Sequence, residues 1–262
     1  MTDHVLVSVE DGVQIVTMNR PDKKNALTAE MYKALADAIE NADADPKIRV
    51  TLYTGSGGSF TAGNDLGDFA KAGTTPVSDK PAEKPHVTRF LENLANAKKP
   101  IVASVNGLAV GVGVTMLLHC DLVYAGASAT FQMPFVNLGL VPEAGSTFLL
   151  QRQIGIQKAA DLFLTGKKLG AEKAEAIGLV ADVFPDNELP IEALARAKAL
   201  AAKAPNAVRA TKALLKDNDR PRVGEARESE GRIFASQLRS DEVKEAIGAF
   251  FEKRAPDFSK FS

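Results

Sequence analysis

Apolar and polar residues alternate over the first part of the chain and recur at helical spacing over the last, so strands dominate early and helices late. In 5-VLVSVEDGVQIVTMN-19 only Glu10-Asp11-Gly12 interrupts the alternation, which predicts two short strands about a tight turn. Pro21 ends that run. Thr28 stands as N-cap of a helix over 29–42 whose Met31, Leu35, Ala38 and Ile39 share one face. The stretch 48-IRVTLYTG-55 predicts a strand closing on glycine, followed by the loop 55-GSGGSFTAGNDL-66. A helix over 86–97 leads to 100-PIVASVNG-107, a continuous apolar run that predicts a buried strand. A helix over 113–120 and a strand over 121–126 follow. This alternation, up to about residue 150, is that of an α/β core. From 157 onward the spacing is helical almost throughout, over 157–166, 189–205, 206–218, 222–240 and 241–254. The last helix begins with acid and ends with base, as a helix dipole favours. The segment 71-KAGTTPVSDKPAEKP-85 reads as a surface loop, not a domain linker, because strand and helix patterns resume on both sides.

Composition narrows the function classes. With 262 residues, 45% hydrophobic and 25% charged, the chain can bury a sizeable core. The 32 basic and 33 acidic residues leave a net charge of -1, which gives no electrostatic footprint for nucleic acid or an anionic membrane surface. Cys120 is the single cysteine and cannot form an internal disulfide, so a reducing compartment is the default. The amino terminus lacks a basic stretch followed by an apolar one, and 108-LAVGVGVTMLL-118 is too short and glycine-rich to span a bilayer. The expectation is a cytoplasmic protein. His4, His86 and His119 are scattered and no metal-ligand spacing occurs, so no metal is expected.

Three stretches could carry chemistry, and each has a plainer reading beside it. In 59-SFTAGNDL-66, small residues around Gly63 let a ligand approach the backbone and leave the Asn64 amide free for an anion; a glycine turn would look the same. In 106-NGLAVGVGVTMLL-118, Gly107, Gly111 and Gly113 precede an apolar helix, so unpaired amides are available, although close helix–strand packing would also need them. The spacing does not meet the G-x-G-x-x-G dinucleotide fingerprint. In 137-NLGLVPEAGSTFLL-150, Glu143 is a lone carboxylate among apolar residues, and either a general base or a dipole-complementing turn residue would fit.

The order of these stretches resembles the enoyl-CoA hydratase/isomerase (crotonase) superfamily. The resemblance is carried by 19-NRPDKKNALT-28, 59-SFTAGNDL-66, 100-PIVASVNGLAVGVGVTMLLHCDLVYAG-126, 131-FQMPFVNLGLVPEAGST-147, 165-TGKKLGAEKAEAIGLVADV-183 and 250-FFEKRAPDF-258. It implies an α/β fold in which ββα turns wind into a spiral core over 1–200, with a helical region over 201–262 that trimerises and completes the CoA site. It also implies an acyl-CoA thioester substrate, with CoA as part of the substrate and no separate cofactor, and a homotrimer or dimer of trimers. The thioester oxygen would be held by the amides of Asn64 and Val112, the latter where the family usually has a middle glycine between Gly111 and Gly113. Asp22, Lys23, Lys24, Ala62, Gly63, Asp65, Leu66, Gly111, Phe135, Leu140 and Lys253 would line the path of the substrate and its CoA.

Hydratases of the superfamily carry two glutamates, at positions that here are Thr115 and Phe135. Neither can act as a base on water, which disfavours ordinary hydration. Glu143 resembles the single catalytic glutamate of the peroxisomal-type Δ3,Δ2-enoyl-CoA isomerases and their bacterial relatives. The resemblance therefore implies an isomerase. A hydratase with a relocated base, another thioester-enolate reaction, or a CoA-ester-binding scaffold without catalysis are the alternatives. The 71–85 loop is expected to shape the acyl pocket.

Overall fold

The structure is a computed structural model in which residues 3–68 and 84–261 are described. The chain alternates between two sheets. Strands β1 (Val5–Glu10) and β2 (Val13–Met18) form the hairpin expected at Asp11-Gly12. After helix α1 (Ala29–Ala44), each turn of the spiral places one strand in each sheet. These pairs are β3 (Val50–Gly55) with β4 (Ser59–Thr61), β5 (Ile101–Val105) with β6 (Leu108–Val110), and β7 (Leu122–Gly126) with β8 (Thr130–Gln132). Helix α2 (His86–Asn96) lies between the first and second pairs. Helix α3 (Val112–Thr115) and a 3-10 turn (Met116–His119) lie between the second and third.

With β9 (Lys168–Gly170) and β10 (Asp182–Phe184), the larger sheet has the order β1-β2-β3-β5-β7-β10 and the smaller β4-β6-β8-β9. All pairings are parallel except β1 with β2 and β8 with β9. Every residue of β5 is buried, as its unbroken apolar run requires of a central parallel strand. The corner between sheets is stitched by Asn106, whose side-chain amide donates to the Gly55 carbonyl at 2.8 Å and accepts from the Gly55 amide at 3.2 Å. Gly107 is required there: its φ is +68° and an added Cβ would lie 2.1 Å from the Gly58 carbonyl oxygen.

Helices α4 (Ser146–Ile154), α5 (Ile156–Thr165), α6 (Ala171–Ala176), α7 (Leu189–Ala201), α8 (Pro205–Lys216), α9 (Arg220–Gln237) and α10 (Asp241–Phe251) follow. The helical expectation after 157 needs correcting at two places, because β9 and β10 interrupt it. Both are three-residue strands, too short to show a period of two, and each exists through pairing with a strand already in place. The basic end expected of the last helix is also corrected. Helix α10 stops at Phe251 with no basic residue in its final turn, and Lys253 lies beyond it at φ +55°. Helices α8 and α9 bury little within the chain: Lys212 alone in α8, and Val223 and Glu230 in α9. The segment 71–85 lies outside the described residues except for Lys84 and Pro85. Among the described residues no helix is long and apolar enough to cross a membrane.

Candidate active site

Asn25, which is fully buried, joins the loop after β2 to the turn between β3 and β4. Its side-chain amide donates to the carbonyls of Ser56 at 2.9 Å and Ser59 at 2.7 Å, and accepts from the Arg20 amide at 2.7 Å. Backbone bonds then run from Ala62 N to Lys24 O at 2.9 Å, Leu27 N to Gly63 O at 2.8 Å and Asp65 N to Leu27 O at 3.0 Å. Asp22, Lys23 and Lys24 are exposed at a 3-10 turn, and through Lys24 and Leu27 this loop is tied to Ala62, Gly63 and Asp65, with Leu66 next in the chain. The Asp65 carboxylate is engaged within the protein. Its bond to Arg20 at 2.6 Å, with a further bond from the Gly67 amide, holds it below the usual carboxylate range.

The first loop presses on the glycine-rich turn. Gly63 has φ +86°, and a Cβ there would lie 2.7 Å from the Val110 carbonyl oxygen. Gly113 faces Thr61, whose Cγ2 would be 2.6 Å from an added Cβ. Gly111 takes φ +56°, but a Cβ on it would meet nothing within 4 Å. In this arrangement the amides of Asn64 and Val112 have no acceptor among the described residues, whereas the flanking amides of Asp65 and Gly111 are bonded. The side chain of Val112 is 1% exposed and belongs to the main core cluster, so a residue larger than glycine is accommodated on the inward side.

Glu143 sits on the turn before α4. Its carboxylate accepts from the Thr115 hydroxyl, and Thr115 is fully buried. Phe135 and Leu140 are buried beside the same segment, and Ala144 and Gly145 follow in left-handed conformations. Glu143 keeps some accessible surface, but the protein packed around its carboxyl leaves the charged form poorly solvated. Burial pushes its pKa up to about 7, helped by the charge of Glu230 and opposed by the Thr115 hydrogen bond and Arg227.

The structure adds groups that the sequence reading did not single out. The Tyr32 hydroxyl, buried on α1, donates to Asn64 Oδ1, and its ring lies 5.8 Å from that of Phe90. Burial, and then the charge of Glu143, raises the Tyr32 pKa well above its ordinary value, so it is a neutral donor. His119 Nε2 donates to the Ala144 carbonyl at 2.7 Å, and burial pushes its pKa down to about 4, leaving a neutral ring. Glu230 of α9 accepts from the amides of Gly145 at 2.6 Å and Thr147 at 2.9 Å. Tyr32 adjoins the predicted apolar face of α1, and that adjacency was its only signal; Glu230, in a polar helix, had none.

Lys253 is exposed in the turn after α10 and makes no hydrogen bond or ion pair with these loops among the described residues. Among the described residues no group of three or more His, Cys, Asp or Glu could hold a metal. The site is therefore one buried carboxylate, two free backbone amides from touching loops and an apolar wall.

Residues 8–260 match the family model described as enoyl-CoA hydratase/isomerase. The chain is 38% identical over 252 residues to enoyl-CoA delta isomerase 2 of Rattus norvegicus, covering 95% of this chain but only 64% of that protein's length. It is 34% identical to 2,3-dehydroadipyl-CoA hydratase of Escherichia coli (strain K12), covering 97% of this chain and 98% of that protein. The crystal structure of an enoyl-CoA hydratase/isomerase from Pseudoalteromonas atlantica T6c superposes with a TM-score of 0.92 at 47% identity, covering 98% of this chain and 100% of that one. The two sheets, the paired loops and these similarities agree: the chain belongs to the enoyl-CoA hydratase/isomerase (crotonase) family, whose members are acyl-CoA enzymes.

Proposed function

We propose that the protein is a Δ3,Δ2-enoyl-CoA isomerase in which Glu143 is the single acid/base. The observation that carries this reading is the hydrogen bond between Glu143 and Thr115. Thr115 occupies the position of one hydratase glutamate, so the carboxyl of Glu143 reaches from another segment to the place where that glutamate would lie. Phe135, 5% exposed, fills the position of the other with an apolar ring. One carboxylate suits a 1,3-proton shift better than hydration, which needs a held water and a second acid/base group. Isomerase and hydratase names both occur among the relatives, so this support comes from the site.

In this mechanism the Glu143 carboxylate takes a proton from C2 of a 3-enoyl-CoA. The C3–C4 double bond moves as charge passes to the thioester oxygen, forming a dienolate held by the Asn64 and Val112 amides. The protonated Glu143 returns the same proton at C4, leaving the 2-enoyl-CoA. A removed oxyanion donor costs acyl-transfer enzymes about 3–4 kcal/mol, so such amides can supply a large part of the rate. A pKa near 7 suits a group that must first accept and then donate. Asp22, Lys23, Lys24, Ala62, Gly63, Asp65, Leu66 and Gly111 would border the CoA and thioester, and Phe135 and Leu140 the acyl chain. Lys253 would reach CoA from a neighbouring subunit. The exposed Leu214 and Leu215 of α8, at 79% and 73%, support assembly through the C-terminal helices.

The test is to give the purified protein 3-hexenoyl-CoA and crotonyl-CoA and to follow products for wild type and Glu143→Gln. Isomerisation of 3-hexenoyl-CoA by wild type and its loss in the variant are expected. Efficient hydration of crotonyl-CoA would replace the reading with a hydratase, and binding without turnover would replace it with a scaffold.

A further inference from the structure

The turn that carries Glu143 is held from two sides, and one of those holds comes from the C-terminal helices. Helix α4 begins without a side-chain cap of its own, at Gly145. The cap is supplied 85 residues away by Glu230, which accepts from the Gly145 amide at 2.6 Å, the Thr147 amide at 2.9 Å and the Thr147 hydroxyl at 2.5 Å. Glu230 is 5% exposed, so these bonds are made away from water, where loss of one partner is costly. Burial raises the pKa of Glu230, but three donors converge on its two oxygens and, with Arg227, favour the ionised carboxylate. One helical turn earlier, Arg227 packs its stem against the same turn. A Cβ on Gly145 would lie 3.1 Å from Arg227 Cγ, and the guanidinium pairs loosely with Glu92 of α2 at 3.8 Å.

We propose that Glu230 and Arg227 of α9 are positioning residues for Glu143, with Glu230 capping the turn 144–147 and the Arg227 stem packed against its Gly145. The proposal rests on the reading of Glu143 as the acid/base. The charged and titratable groups around that carboxyl are Tyr32 from α1, His119 from the 3-10 turn, and Glu230 and Arg227 from α9. Tyr32 and His119 are neutral near pH 7. The charges that can move Glu143 are therefore those of α9. The anion of Glu230 makes a second anion beside it harder to form, and Arg227 makes it easier. Helix α9 is otherwise polar and little buried, so its contact with the turn is not explained by core packing.

The experiment compares Glu230→Gln, Arg227→Met and Thr147→Val with Glu228→Gln, an exposed change on the same helix. Two readouts are used: kcat and KM with 3-hexenoyl-CoA, and a carbon-13 carboxyl titration of Glu143, assigned by its disappearance in Glu143→Gln. The Glu143 midpoint should move to lower pH in Glu230→Gln and to higher pH in Arg227→Met. Thr147→Val should lower kcat about 3–10-fold with KM little changed, as expected when a base is misplaced before the transition state. Midpoints that stay with the Glu228→Gln control in folded variants would overturn the proposal. If Glu230→Gln does not fold, Arg227→Met decides by itself. Because the titration needs no turnover, an enzyme inactive on 3-hexenoyl-CoA would reject the isomerase reading while still testing this one.

Discussion

The hydroxyl of Thr115 donates to the carboxylate of Glu143, twenty-eight residues further along the chain. It stabilises the charged form of a group that burial otherwise keeps protonated. Thr115→Val keeps the volume and removes the donor. The Glu143 pKa should then rise above about 7, and the rising limb of kcat/KM against pH should move to higher pH. Rate profiles of the two proteins on the same acyl-CoA check this; an unmoved limb would mean the limb belongs to another group.

Glu143 also sets a stability trend. Its pKa is about 7 in the folded protein against an ordinary value of 4.5, so the folded state holds a proton that the unfolded chain has released. Stability from this group is complete below about pH 4.5 and is lost as pH rises through about 7. Glu143→Gln escapes that loss and should be more stable than wild type at pH 8 by about 1–3 kcal/mol, at about 1.4 kcal/mol per pKa unit less relaxation. Denaturant titrations at pH 5 and pH 8 would show the gap widening with pH.

Tyr32 orients Asn64. Since an amide oxygen only accepts, the hydroxyl must be the donor, and Tyr32→Phe leaves Asn64 Oδ1 without that bond. A loss of about 1–2 kcal/mol in transition-state stabilisation is expected, a roughly 5–30-fold drop in kcat, with a smaller change in KM. A drop confined to KM would place Tyr32 in substrate binding instead.

The glycines separate two causes of strain. Gly111→Ala meets open space but must adopt φ +56° and ψ −119°, a conformation open almost only to glycine, so about 1–3 kcal/mol of stability should be lost. Gly63→Ala combines φ +86° with a 2.7 Å approach to the Val110 carbonyl, which forces apart the loops carrying the two free amides. Its kcat should fall about 100-fold or more if those amides hold the oxyanion. Equal activity in the two variants would remove the amides from the mechanism.

His119 confers acid sensitivity. Its folded pKa of about 4 lies below the ordinary 6.5, so its contribution is complete above about pH 6.5 and lost as pH falls through 4. His119→Gln retains an N–H donor for the Ala144 carbonyl and should flatten the decline in melting temperature between pH 6.5 and 4. A decline as steep as wild type would assign it to the carboxylates.

Local structure was largely legible. The hairpin at Asp11-Gly12, the Thr28 cap and the buried run of β5 follow from short-range rules, and the structure keeps all three. The cap is a bond from the Met31 amide to Thr28 Oγ1 at 3.3 Å. What was missed depends on partners. Strand β9 pairs with β8, and β10 with β7, and three residues carry too little periodicity to announce either. Tyr53 shows the same limit inside a correctly read strand: it is fully buried, and its hydroxyl finds no hydrogen-bond partner among the described residues. Alternation alone marks such a residue as inward and says nothing of its polar end.

The sequence by itself determined most of the longer elements, the glycines that let the chain turn, and the family, because these rest on neighbours within a few residues or on motifs in a set order. It also singled out Glu143 as a lone carboxylate in an apolar setting. Only the tertiary structure decided what that carboxylate touches. Thr115, His119, Tyr32, Arg227 and Glu230 come from α1, the glycine-rich segment and α9, and no periodicity links them. A hydrophobic pattern says which face of an element is buried, but the facing partner is set by how whole elements pack. The desolvation that pushes Glu143 to about 7 is a property of that packing and has no local signature.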